Sequence, residues 1–181
     1  MGMDMKIQLT MEDILNIPSY LYPVMVFSDD LRGFFSLFIK QHQEGGYGHF
    51  MWLYKPGIVA SQDFPLFREA RIEKYVTGRH RVKFFINNDW DEHQRELIIK
   101  VIEHDLKLPA YKRMYDFVAI FGQWVHLPWI QLPWISICSD RAEYIKLVSP
   151  KYDLKNPDPQ DVNKWLTEQD DFHVYGRFIP D

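Results

Sequence analysis

The chain has 181 residues, 46% of them hydrophobic and 16% aromatic, which is material for one domain with a sizeable core. A formal charge of −4 with no basic block argues against a phosphate backbone as the main partner, so no nucleic acid is expected. A single cysteine excludes an internal disulfide framework and any CxxC metal or redox site.

The opening Met1-Gly2-Met3-Asp4-Met5-Lys6 carries an early acid and has no apolar run behind a basic start, so it does not read as a signal peptide. The cytoplasm is the default location, with association with a virion or export by a non-classical route as alternatives. Thr10-Met11-Glu12-Asp13 has capping-box chemistry ahead of Ile14 and Leu15 and predicts a short helix closed by Pro18. Pro23-Val24-Met25-Val26-Phe27 is a compact apolar run ending in Ser28-Asp29-Asp30, which suits a buried strand and a turn. Leu31 to Gln41 has helical spacing, and Gly45-Gly46 breaks it.

A β-hairpin is the clearest element. Tyr47 to Tyr54 is rich in aromatics, Lys55-Pro56-Gly57 is turn chemistry, and Ile58-Val59-Ala60-Ser61-Gln62 returns. A loop is expected from Asp63, then an amphipathic piece around Phe67 to Tyr75 and a strand over Arg81 to Ile86. Asp89 is placed to cap the helix that follows. Leu97, Ile98, Val101, Ile102 and Leu106 give that helix an apolar stripe from about Asp91 to Leu106.

Tyr115 to Phe121 starts a further helix, and no charged residue occurs between Phe117 and Ser139. That stretch is long enough to span a bilayer, but Pro128 and Pro133 break any continuous helix. A buried helix followed by a bulky apolar loop is expected, with a membrane-dipping loop as the alternative. Cys138 opens another helix, with Ala142, Ile145 and Val148 on one face. Asp158-Pro159 pairs an N-cap with a proline at the first helical position, leading into Val162, Trp165 and Leu166. No repeat, low-complexity tract or linker interrupts the chain, and the whole reads as one α+β domain over residues 1–181.

Chemistry concentrates at Cys138. Free N–H groups at a helix start favour a thiolate and can receive a developing oxyanion. The competing reading is a small buried hydrophobe, a common role for cysteine. His49 is the natural base, held on a strand among Phe50, Met51, Trp52, Leu53 and Tyr54. His42, His80, His93, His104, His126 and His173 show no HxxxH or HxH spacing, so no metal site is expected. Ser61 on the returning strand is the candidate that orients the imidazole, with Gln62 as the alternative, depending on register.

The order of these elements resembles the circularly permuted papain-like hydrolases of the NlpC-type superfamily, which also contain lecithin:retinol acyltransferase-like enzymes. The strand Pro23 to Phe27, the histidine hairpin Gly48 to Ala60, the strand Val82 to Phe85 and the helix Glu92 to Leu106 match it in order. Tyr115-Asp116-Phe117, Cys138-Ser139-Asp140 and Asp158-Pro159-Gln160-Asp161-Val162 continue the match, over roughly residues 20–170. The resemblance implies a permuted papain-like fold, an antiparallel sheet packed against helices with the cysteine at a helix N-terminus. It also implies a thiol hydrolase that needs no cofactor, acting on a peptide or peptidoglycan-like amide through Cys138, His49 and an acyl-enzyme. Gln131 is a candidate second oxyanion donor. Lipid acyl transfer or thioester hydrolysis, and a non-catalytic subunit of a phage or secretion assembly, are the alternatives. Many relatives carry glutamate or histidine four residues beyond the hairpin glycine, where this chain has Ser61. That departure leaves a slower enzyme, Gln62 or another group filling in, or a member without activity.

Overall fold

The structure, a computed structural model, describes residues 8–30, 47–63, 65–78, 80–114, 138–155 and 157–180. The expected helices at Leu31–Gln41 and Tyr115–Phe121, the apolar loop before Cys138, and Gln131 lie outside the described residues.

The architecture is α+β. Six strands form one sheet: β1 (Val24–Asp30), β2 (His49–Lys55), β3 (Ile58–Gln62), β4 (Phe67–Arg71), β5 (His80–Asn87) and β6 (Phe172–Phe178). Their order is β4-β3-β2-β1-β5-β6, and every neighbouring pair is antiparallel. Among the described residues three α-helices accompany the sheet: α1 (Met11–Leu15), α2 (Glu92–Leu106) and α3 (Pro159–Glu168). Cys138–Leu147 forms a 3-10 helix, here the cysteine helix. Among the described residues no helix is long and apolar enough to cross a membrane.

Capping explains where the α-helices begin. Thr10, Asp91 and Asp158 each close a capping box with the residue three places on, and Pro159 occupies the first turn of α3. The cap of α2 is thus Asp91, not Asp89, whose backbone N–H instead donates to Asn87 Oδ1. In the cysteine helix a three-residue turn stacks Ala142 and Ile145 in one line, and Val148 follows just past its end.

The sheet is apolar on both faces. Phe50, Trp52 and Tyr54 of β2 join Met25, Phe27 and Phe85 beneath Ile98 and Ile102 of α2, Ala142 and Ile145 of the cysteine helix, and Val162 and Leu166 of α3. Met51 and Leu53 alternate to the opposite face, with Val24, Val26, Val59 and Phe84 under Ile14 of α1, Ile72 and Tyr75. Double coverage is why β1 and β2 read as continuous apolar runs. Each such large side chain, fully buried, contributes roughly 1.5–3 kcal/mol.

Two elements differ from the sequence expectation. The amphipathic piece at Phe67–Tyr75 is strand β4 followed by a 3-10 turn over Ile72–Lys74. Strand β6 has no counterpart among the expected elements. It lies at the sheet edge and alternates Phe172, Val174 and Gly176 against polar positions. A Cβ at Gly176 would stand 2.5 Å from Leu9 Cγ, so glycine there admits the N-terminal segment onto the strand.

The hairpin contains the feature that positions the site. Gly57 has φ +68°, which glycine tolerates without strain, and closes the two-residue turn. Lys55 pairs with Ile58, whereas Leu53 pairs with Val59, so one extra residue, Tyr54, bulges from β2. Without it Gln62 would share the face of His49. With it Met51 pairs with Ser61, and the same register carried outward sets Asp63 across from His49.

Candidate active site

His49 is the first residue of β2, paired with Ser28 of β1, at the rim of the sheet. Tyr75 approaches from the α1 side, stacked on the imidazole with ring centroids 5.8 Å apart and planes 23° from parallel. Cys138 belongs to the element on the helix side, and its charge favours the protonated form of the imidazole. The thiol residue is 3% exposed and is a free cysteine.

The other edge of the ring faces the returning strand. His49 Nε2 lies 2.7 Å from Ser61 Oγ and 3.4 Å from Asp63 Oδ1. With Nε2 so occupied, Nδ1 is the nitrogen left for the sulfur. Ser61, fully buried, donates to Asp63 Oδ1 at 2.7 Å. The hydroxyl has one proton, so while it donates to Asp63 its lone pair accepts from Nε2–H. The line runs thiol, imidazole, hydroxyl, carboxylate.

Asp63 is the charged member that sequence reasoning misses, because its position just past the hairpin reads as the start of a loop. It also accepts from Tyr75 Oη at 2.7 Å and from Lys74 Nζ, with Arg68 Nη2 at 3.4 Å. Burial alone would favour its neutral form. The hydrogen bonds and charges of His49, Lys74 and Tyr75 outweigh that and hold the carboxyl far below the usual carboxylate range. Tyr75 is pushed the other way by burial and by the charge of Asp63, so its phenol stays protonated as a donor. Burial disfavours charge on His49 too, yet Cys138 and Asp63 together raise it from 6.5 to about 9. The imidazole therefore carries a proton at neutral pH.

Gln62 serves the opposite face. Its Oε1 accepts from Arg141 Nη2 at 3.1 Å, and its Nε2 donates to the Arg113 carbonyl at 2.9 Å. Arg141 belongs to the cysteine helix and pairs with Asp105 Oδ2 at 2.6 Å, where Tyr144 Oη also donates at 2.6 Å. Its carbonyl accepts from Trp52 Nε1 at 2.8 Å, and its guanidinium lies 4.2 Å over the Phe67 ring. Gln62 thus ties β3 to the helix that carries Cys138. The orienting contact is made by Ser61.

Cys138 is the first described residue of the cysteine helix, which puts its backbone N–H at the residue that bears the thiol. Together these groups can deprotonate a thiol, hold a thiolate beside an imidazolium and receive an oxyanion. No protein-family model, no curated protein and no solved structure matches the chain.

Proposed function

We propose that the protein is a cysteine hydrolase on a permuted papain-like, NlpC-type scaffold. Its reaction is cleavage of an amide or peptide bond in peptidoglycan or a similar amide-linked polymer. The observation that carries this reading is one imidazole held by Ser61 and Asp63 and coupled electrostatically to Cys138.

His49 holds the proton of the pair as an imidazolium, and the thiolate sulfur of Cys138 attacks the acyl carbon. The backbone N–H groups at the start of the cysteine helix receive the carbonyl oxygen as it becomes an oxyanion. As the C–N bond breaks, His49 returns the proton to the departing amine and leaves a thioester on Cys138. Water, deprotonated by His49, then attacks the thioester. The carboxylic acid leaves, and the thiol is restored. Through both steps Ser61 and Asp63 hold the ring and offset its positive charge, and Tyr75 limits its rotation.

The 3% exposure of Cys138 favours a second reading, in which the scaffold binds without turnover. Intact-mass detection of an acyl adduct after mixing with an activated peptide ester separates the two. The hydrolase reading expects an adduct on the wild type and none on Cys138→Ala. It further expects a peptidoglycan fragment to be consumed in preference to a lipid ester or thioester. No adduct with any acyl donor supports the binding module. Preferred consumption of the lipid ester or thioester points to the acyltransferase branch.

A further inference from the structure

The carboxylate of Asp63 divides its two oxygens between opposite sides. Oδ1 faces the relay, 2.7 Å from Ser61 Oγ and 3.4 Å from His49 Nε2. Oδ2 faces two half-exposed cations, Lys74 Nζ and, at 3.4 Å, Arg68 Nη2. Tyr75 Oη lies 2.7 Å from each oxygen. Lys74 also touches this second support of the imidazole. Its Nζ is 4.9 Å from the centroid of the Tyr75 ring and donates to Tyr75 Oη at 3.4 Å. The backbone fixes that placement, because Lys74 ends the turn Ile72–Lys74. Buried Ile72 donates its N–H to the Gly57 carbonyl at 2.9 Å, and its carbonyl accepts from Tyr75 N–H at 2.9 Å.

Burial opposes charge on His49 and two anions favour it, Cys138 and then Asp63, but only one of them lasts through the reaction. The sulfur loses its charge when it becomes a thioester, whereas Asp63 keeps its own. Deacylation needs a neutral imidazole. The ring takes a proton from water as the water oxygen adds to the thioester carbon, and the C–S bond then breaks with sulfur leaving as thiolate. A carboxylate answered by His49 alone would hold the proton on the ring. Lys74 and Arg68 share the charge of that carboxylate and repel the imidazolium. Among the described residues, Cys138, Ser61 and Tyr75 complete the surroundings of the ring. Glu73 of the same turn pairs with neither cation, and Asp29, beside Ser28 on β1, is matched by Arg81 at 2.7 Å. We propose that Lys74 is a positioning residue that acts through Asp63 and Tyr75 to free His49 of its proton once Cys138 is acylated, so that water can be activated. The role rests on the hydrolase reading and assigns Lys74 to its second step.

The test replaces the thiolate with a neutral sulfur, by methyl methanethiosulfonate on Cys138 of the full chain. The His49 imidazole is then titrated by NMR, its signal assigned against His49→Gln. The wild-type midpoint should fall below about 9, because the charge of Cys138 is gone. Lys74→Gln should hold the proton about threefold more tightly, the scale of a half-exposed ion pair, and Lys74→Arg should restore the wild-type midpoint. Single turnover of an activated peptide ester, below that midpoint, should show loss of the acyl adduct slowed about threefold in Lys74→Gln with its formation unchanged. Arg68→Gln, at the longer contact, should move both readouts the same way by less, which keeps the test valid if Lys74→Gln fails to fold. An unchanged or lowered midpoint in Lys74→Gln, or a shift that Lys74→Arg does not reverse, overturns the role. The acyl adduct keeps the two claims apart. An adduct whose loss is indifferent to Lys74 and Arg68 removes this role alone. No adduct on the wild type removes the hydrolase and the deacylation role with it.

Discussion

Ser61 and Gln62 are adjacent on one strand, both fully buried, and they belong to different machines. Ser61 faces His49 and Asp63, a cluster with a nucleophile at one end and a half-exposed lysine and arginine at the other. Gln62 faces Arg141, Asp105 and Tyr144, where the strong charges are already matched. Both clusters contain a carboxylate with several donors. In one the carboxylate sets the protonation of a base, and in the other it clamps a helix. A buried ionic cluster becomes reactive when one member is left free to exchange a proton, and otherwise serves position.

That contrast can be broken from either side. The largest effect is expected for Arg141→Leu, which strands Asp105 without its cation and frees the cysteine helix. It should cost about 3–5 kcal/mol of unfolding free energy in a urea titration, the usual loss when one partner of a buried pair is removed. Asp63→Asn comes next. It should slow alkylation of Cys138 at pH 6 by about tenfold while costing less stability than Arg141→Leu, because His49 loses charge support but no helix is released. A smaller effect, about 1–3 kcal/mol of stability with the shape of the alkylation profile unchanged, is expected for Gln62→Leu. If Gln62→Leu altered the profile and Asp63→Asn did not, the assignment of the two faces would be reversed.

Stability against pH sharpens the same comparison. Burial opposes charge on His49, but Cys138 and Asp63 raise it from 6.5 to about 9. A raised basic group stabilises the fold fully below its unfolded value, and the contribution fades as pH rises through the folded one. Stability should therefore decline between pH 6.5 and about 9 in the wild type. In Asp63→Asn the upper edge of that decline should move toward 6.5, whereas Gln62→Leu should leave it in place.

Much of this arrangement is legible in the amino-acid sequence. The capping boxes at Thr10 and Asp158 and the Pro56-Gly57 turn are local chemistry, and each is found where local rules put it. Cys138 falls on a helix with Ala142 and Ile145 buried at the tight spacing its sequence shows. Asp63 and β6 are not legible, for different reasons. The face presented by β3 depends on whether Tyr54 bulges, and nothing in Leu53-Tyr54-Lys55 announces an extra residue. One residue of slip exchanges Ser61 for Gln62 beside His49, and the same slip sets Asp63 across from it. Strand β6 is half-buried, interrupted by Gly176 and stabilised by a partner far away in sequence, so its pattern is weak on its own.

The most direct test of the central claim is the rate of Cys138 alkylation by iodoacetamide across pH 4 to 9, measured for the wild type and for His49→Ala. A thiolate–imidazolium pair predicts labelling that persists well below pH 8 in the wild type and falls by about a hundredfold at pH 6 in the variant. Equal, slow labelling of both proteins that rises only at alkaline pH would contradict it and leave Cys138 as a buried packing residue.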